Sequence, residues 1–154
     1  MEYRTANDVL KAHWDGALPV NPVSIARAMG IEVKAAPIFQ AESGHYMYRN
    51  GAPLITYNPI EAPVRQRFTV AHEIGHHVHG DVDAPRDTSS QFSARTRDPK
   101  EVAANRFAAA LLMPAALVKH LVLEKRVTDL AKLAATFGVS TAAMEFRLKA
   151  IGLL

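Results

Sequence analysis

The chain has 154 residues, 49% of them hydrophobic and 21% charged, which suits one domain with its own core rather than a disordered or fibrous chain. No apolar run approaches the ~20 residues that span a bilayer, and the early charges of MEYRTANDVLKAHWDG leave no apolar signal core, so a cytoplasmic protein is expected. The absence of cysteine excludes thiolate metal sites, and a net charge of +3 is too small to argue for a nucleic-acid partner.

The first readable element is a short helix in NPVSIARAMG: Asn21 suits its N-cap, Pro22 its first turn and Gly30 the residue after its end. IEVKAAPI follows as a strand. Asn50-Gly51 between two β-rich runs predicts a hairpin with strands near 44–49 and 53–58, and Pro53 at a strand start suits an edge. A long helix is expected over 61–79, with Pro63 in its first turn and Gly80 at its end. Residues 81–98 are polar and lack apolar periodicity, so they read as a long loop. DPKEVAANRFAAALLMP is the next helix, capped by Asp98, begun by Pro99 and ended by Pro114. PAALVKHLVLEK is another, and two short helices joined at 137–140 complete the chain, with Ser140 capping the second. The order of helix, small sheet, then helices predicts an α+β fold.

Four of the seven histidines fall within FTVAHEIGHHVHGD. His72 and His76 are four apart on the expected helix, so their imidazoles can converge on one ion. Glu73, beside the first histidine, is placed to take a proton from a water that the ion acidifies; this is how H-E-x-x-H supplies two ligands and a general base. Gly75 weakens a helix interior by ~0.5–1 kcal/mol relative to alanine, which predicts close approach of another backbone or of substrate. His77 is rotated away, toward packing or surface. His79 lies too far along the axis to share the ion, although it can lie near the rim. The longer H-E-x-x-H-x-x-G-x-x-H pattern is excluded by His79 and Val82.

A catalytic zinc usually has three protein ligands. The acidic candidates for the third are Asp81, Asp83, Asp87, Asp98, Glu101 and Glu124. Asp81 and Asp83 follow the helix end too closely to fold back easily, Asp87 lies in the expected loop, and Asp98 serves better as a cap. Glu101 begins a helix that can pack against the first, and Asn105, four residues on, lies on the same face, where it can orient a ligand. Asp98-Pro-Lys-Glu101 also resembles a capping box, and position alone leaves both readings of Glu101 open.

ITYNPIEAPVRQRFTVAHEIGHHVHG and EVAANRFAAALLMP together resemble the ImmA/IrrE family of zinc metallopeptidases, a likeness that spans about Asn21 to Pro114. It implies Zn²⁺ held by His72, His76 and Glu101, with Glu73 as the base. It also implies a small zincin-like domain, with a short twisted sheet, an active-site helix and a ligand helix. The substrate it implies is a protein, a helix-turn-helix transcriptional repressor whose cleavage relieves repression. Extended substrate can add to a sheet edge; Leu54, Ile55, Thr56 and Tyr57 of the second hairpin strand are the candidates, the alternative being that they only pack on the active-site helix. Tyr46, Tyr48, Tyr57 and His120 are the candidates for stabilising an oxyanion.

The division expected is a metallopeptidase domain over 1–124 and a helical, helix-turn-helix-like subdomain over 125–154 packed on it. The start of the last helix offers Thr141, Ala142, Ala143 and Glu145, and its two basic residues, Arg147 and Lys149, come late. DNA binding through it is therefore not expected; packing, or gripping a repressor, is. The rival functions are a metal-stabilised binding module without turnover and a DNA-binding regulator. An intact Glu73 favours the peptidase over the module, since a binder has no need of the base.

Overall fold

The structure is a computed structural model that describes residues 3–36, 42–87 and 98–154. Short-range capping sets most of the helix starts. Thr5 and Asp8 form a reciprocal capping box that opens α1 (Ala6–His13), a helix the sequence reading leaves out. Asn21 accepts from the Ser24 N–H at the start of α2 (Pro22–Ala28). The chain then turns into β1 (Glu32–Ala35).

β2 (Glu42–Arg49) and β3 (Ala52–Tyr57) form the hairpin. Asn50 and Gly51 have φ of 53° and 76°, the double positive φ of a turn whose twist matches that of the strands. A fourth strand, β4 (Asp83–Asp87), gives the sheet order β1-β3-β2-β4, with β1 parallel to β3 and the other pairs antiparallel.

Two expectations change here. First, part of the expected loop over 81–98 is strand β4, which pairs antiparallel with β2; ladder pairing is made by backbone groups, so a missing apolar period does not exclude it. Residues 88–97 lie outside the described residues. Second, β3 is an interior strand. Leu54, Ile55, Thr56 and Tyr57 pair with β1 on one side and β2 on the other, so their backbone groups are already used and no substrate strand can add there. Pro53 is tolerated because pairing with β1 begins only at Leu54.

α3 (Pro63–Val78) lies between this sheet and α4 (Pro99–Leu112). Against the sheet the approach is close: a Cβ at Gly44 would stand 2.4 Å from Thr69 Cγ2 and 2.8 Å from the Thr56 carbonyl. Only glycine fits at this point of β2. Phe68, Val70, Ala71 and Ile74 of α3 share one core with Phe107, Ala108, Leu111 and Leu112 of α4.

After α4 come α5 (Ala115–Lys119), a π-helical turn (His120–Glu124), α6 (Leu130–Phe137) and α7 (Thr141–Ala150). Asp129 caps α6 and Ser140 caps α7, and Gly138, at φ 64°, makes the bend between them. Leu133, Phe137, Met144 and Leu148 of this pair enter the same core as α3 and α4. Two half-buried arginines fasten the joint. Arg67 of α3 donates to the carbonyls of Gly138 (3.1 Å) and Val20, and Arg147 of α7 donates to the Met113 carbonyl (2.9 Å). Among the described residues no single helix is long and apolar enough to cross a membrane.

Candidate metal centre

α3 and α4 cross where α3 carries no side chain, at Gly75, against Ala104 and Phe107 of α4. A Cβ built on Gly75 would stand 3.2 Å from the Ala104 Cα and 3.1 Å from the Phe107 Cβ, so the glycine lets α4 approach. The close backbone approach expected of this residue is thus to α4. Its consequence is that Glu101, one turn before Ala104, comes down on the histidine face of α3.

Three side chains converge there. His72 Nε2 and His76 Nε2 are 3.1 Å apart, and Glu101 places one carboxylate oxygen 2.8 Å from the first and the other 3.1 Å from the second. The Asp98 side chain accepts from the Lys100 N–H, while Glu101 turns to the imidazoles rather than back to its own cap. Glu73 is fully buried beside them, with Oε1 4.0 Å from His72 Nε2.

The other nitrogen of each imidazole is also occupied. His72 Nδ1 donates to Asn105 Oδ1 (2.8 Å), and His76 Nδ1 donates to Asp81 Oδ2 (2.7 Å). Holding the proton on Nδ1 leaves the Nε2 lone pair aimed at the common centre, which fixes both tautomer and ring orientation. Asp81 is the residue that sequence reasoning set aside. The chain reverses at Gly80, φ 79°; the Asp81 N–H bonds the His76 carbonyl at 3.0 Å, and its carboxylate folds back along the helix end. Its closeness in sequence argues against a ligand but suits a partner for the far nitrogen. The glycine after the helix is the signal that could have found it.

The electrostatics follow from this packing. Burial alone would lower His76, but hydrogen bonds to Glu101 and Asp81 and the nearby Glu73 carboxylate outweigh it and raise the imidazole to about 9. Burial would raise Glu101, yet the hydrogen bonds and charges of the two histidines hold it well below the carboxylate range. Two imidazole nitrogens and one carboxylate around a single point, with the far nitrogens held, is a donor set that fits Zn²⁺.

The remaining candidates sit elsewhere. Tyr46 is buried, bonds His77 Nδ1 at 2.8 Å, and is pushed up to about 12 by burial, helped by Tyr48 and Asp81. His77 is therefore a packing residue, and burial lowers it. His79 stacks edge-on against Phe107 of α4, with ring centroids 5.8 Å apart. Tyr48 is half exposed, Tyr57 lines a separate cavity with Asn21 and Gln66, and His120 pairs with Glu124 on the surface at 2.8 Å. None of the four oxyanion candidates is brought to the histidine pair by any of these contacts.

Residues 26–149 match the family of peptidases described as the IrrE N-terminal-like domain. The chain belongs to this family. It is the ImmA/IrrE grouping to which the two sequence blocks point. Among curated proteins it is similar to the radiation response metalloprotease IrrE of Deinococcus radiodurans, 32% identical over 116 residues. That stretch is 73% of this chain and 34% of the relative, so the chain spans about a third of the relative's length. Among solved structures it shares its fold with a Mycobacterium tuberculosis transcriptional regulator, at a TM-score of 0.61 and 19% identity, over 94% of this chain and 44% of the other.

Proposed function

We propose that this family member is a zinc-dependent endopeptidase, and that its substrate is a helix-turn-helix transcriptional repressor whose cleavage relieves repression. The observation that carries the reading is the convergence of His72 Nε2, His76 Nε2 and the Glu101 carboxylate beside a buried Glu73. The family membership supports the peptidase part, and the relative's description as a metalloprotease agrees with it. The repressor substrate rests on the family resemblance.

His72, His76 and Glu101 would hold the ion. When bound, Zn²⁺ supplies Lewis acidity toward a water and toward the scissile carbonyl. Asn105 and Asp81 keep the two imidazoles oriented and their Nδ1 protons in place. Glu73 takes the proton of the attacking water and returns it to the leaving amine nitrogen. Its burial strengthens its interaction with charge developing nearby. Substrate backbone cannot add to β3; the sheet's outer strands among the described residues are β1 and β4.

The rival is a binding module in which metal only holds the fold. Against it stands Glu73: burying a carboxylate is costly, and a module has no need of one beside the ligands. The DNA-binding rival loses Arg147 to the fold, since it bonds the Met113 carbonyl, and the remaining Lys149 is too little charge on α7 for a phosphate backbone.

Glu73→Gln tests the reading. The variant should retain zinc, measured by elemental analysis of protein purified without added metal, and should lose cleavage of a repressor that the unaltered protein cuts. Persistent cleavage would end the general-base assignment, and zinc-free wild-type protein would end the metal assignment.

A further inference from the structure

The face of α4 turned away from the metal centre packs beside α7 and leaves a groove of about 750 Å³. Its walls are Arg106, Ala109, Ala110, Phe146, Arg147, Lys149 and Ala150. Three of these seven residues are basic and none is acidic, in a chain whose net charge is only +3. The apolar residues are small apart from Phe146, so the floor is smooth and methyl-lined.

The charges differ in how far they are committed. Arg147 is partly buried and donates to the Met113 carbonyl. Arg106 is exposed and makes no ion pair among the described residues. Lys149 pairs with Glu145 at 3.4 Å, but both side chains are about half exposed or more, and such a solvated pair is held weakly. Arg106 and Lys149 can therefore turn to an incoming anion at little cost.

We propose that this groove docks an acidic amphipathic helix of a partner protein, apolar side chains on Ala109, Ala110, Phe146 and Ala150 and carboxylates on Arg106 and Lys149. Helix-in-groove recognition places anchors three or four residues apart, which suits a cleft between two helices. The apolar floor favours a protein segment over a nucleic acid, whose phosphates would be desolvated against methyl groups without compensation. Because α4 presents Glu101 to the metal centre and Arg106 to the groove, a partner held here is anchored on the far side of the ligand helix. That the partner is also the protein cleaved rests on the peptidase reading; the docking itself does not.

The test uses full-length Glu73→Gln protein, so that turnover does not enter. The probe is a fluorescent, end-blocked helical peptide with leucines four apart and glutamates flanking them; a second peptide carries lysines in place of the glutamates. The acidic peptide should bind, more weakly as salt rises, and the basic one should not. The pair Arg106→Glu and Lys149→Glu should weaken the acidic peptide at least tenfold and let the basic peptide bind. Ala150→Glu, on the exposed edge of the floor, should weaken it with both cations intact. Unchanged thermal unfolding and zinc content of these surface variants separate lost docking from lost folding. Three results would overturn the proposal: no binding of the acidic peptide, binding indifferent to all three substitutions, or a DNA duplex occupying the groove with the same sensitivity while the peptide does not. Failure here with zinc and cleavage intact in the unaltered protein would leave the peptidase reading standing; the reverse outcome would leave the groove.

Discussion

Replacing Gly75 with alanine tests how the metal centre is assembled, because the change touches no proposed ligand. A methyl group at this position would stand 3.1 Å from Phe107 Cβ, 3.2 Å from Ala104 Cα and 3.2 Å from Phe107 Cδ1. These separations are a few tenths of an ångström inside ordinary contact, and one of the atoms is backbone that no rotamer change can move. Two effects oppose each other. Alanine in a helix interior is favoured over glycine by ~0.5–1 kcal/mol. Overpacking a filled contact costs ~1–3 kcal/mol.

The contact should win, because α4 also packs into the core through Phe107, Ala108 and Leu111 and cannot retreat freely. Net destabilisation of ~0.5–2 kcal/mol is expected, a fall in Tm of roughly 2–6 °C for a chain of this size. The more telling readout is metal affinity. Whatever α4 yields at Ala104 also moves Glu101 and Asn105, so zinc affinity, measured by competition with a chromophoric chelator, should fall roughly tenfold, the lower end of what loss of a supporting contact costs. If Gly75→Ala were instead stabilised by the full helix-propensity gain, with zinc affinity unchanged, the helix crossing would not be what positions Glu101.

Asp81→Ala and Asn105→Ala should each weaken zinc binding about 10–100-fold by the same chelator competition, since each frees the Nδ1 side of one proposed ligand; Asp81→Asn, which keeps an acceptor, should lose less. In the metal-free protein His76 titrates near 9, above its unfolded value, so its contribution to stability is complete below the unfolded value near 6.5 and is lost as pH rises toward and through 9. Glu101 is depressed, so its contribution is present above its unfolded value and is lost at acid pH. Denaturant unfolding of the metal-free chain from pH 6.5 to 9.5 should show the alkaline decline, zinc-loaded protein should show much less of it, and loading near pH 7.5 should release about one proton, read by calorimetry in buffers of different ionisation heat. Arg67→Ala strips the Val20 and Gly138 carbonyls of a charged donor and should cost ~2–4 kcal/mol in denaturant unfolding while leaving the zinc affinity of the folded fraction unchanged.

The features legible in the sequence are those that a few neighbouring residues decide. Asn21, Asp98 and Ser140 cap helices because each side chain reaches an amide two or three residues away. Asn50 and Gly51 turn the hairpin because the constraint is on their own φ. His72, Glu73 and His76 share one face of α3 because helix period alone puts them there. Sheet order is of another kind. The hairpin is local, but whether β1 or β4 flanks β3 depends on pairings that span tens of residues, and no residue of Leu54, Ile55, Thr56 or Tyr57 records which side is taken. Gly44 shows the same limit: its requirement comes from Thr69 and Thr56, which only the folded sheet and helix bring to it.

The metal centre falls between these cases, and Glu101 shows why. Its neighbours in sequence offer it a satisfactory role as a capping residue, so local chemistry alone leaves its direction undecided. Two non-local facts decide it. Gly75 lets α4 come close enough for the carboxylate to reach both Nε2 atoms, and two protonated or metal-bound imidazoles offer it a stronger partner than one backbone amide does. Asp81 follows the same logic in reverse. It is local to His76, yet its use becomes visible only once the metal-facing nitrogen is assigned and the other is left needing an acceptor. A histidine pair on a helix thus makes two demands, one for a third ligand and one for a partner at each Nδ1. Searching a sequence for both demands would have brought Asp81 forward, because Gly80 supplies the reversal that makes so short a return possible.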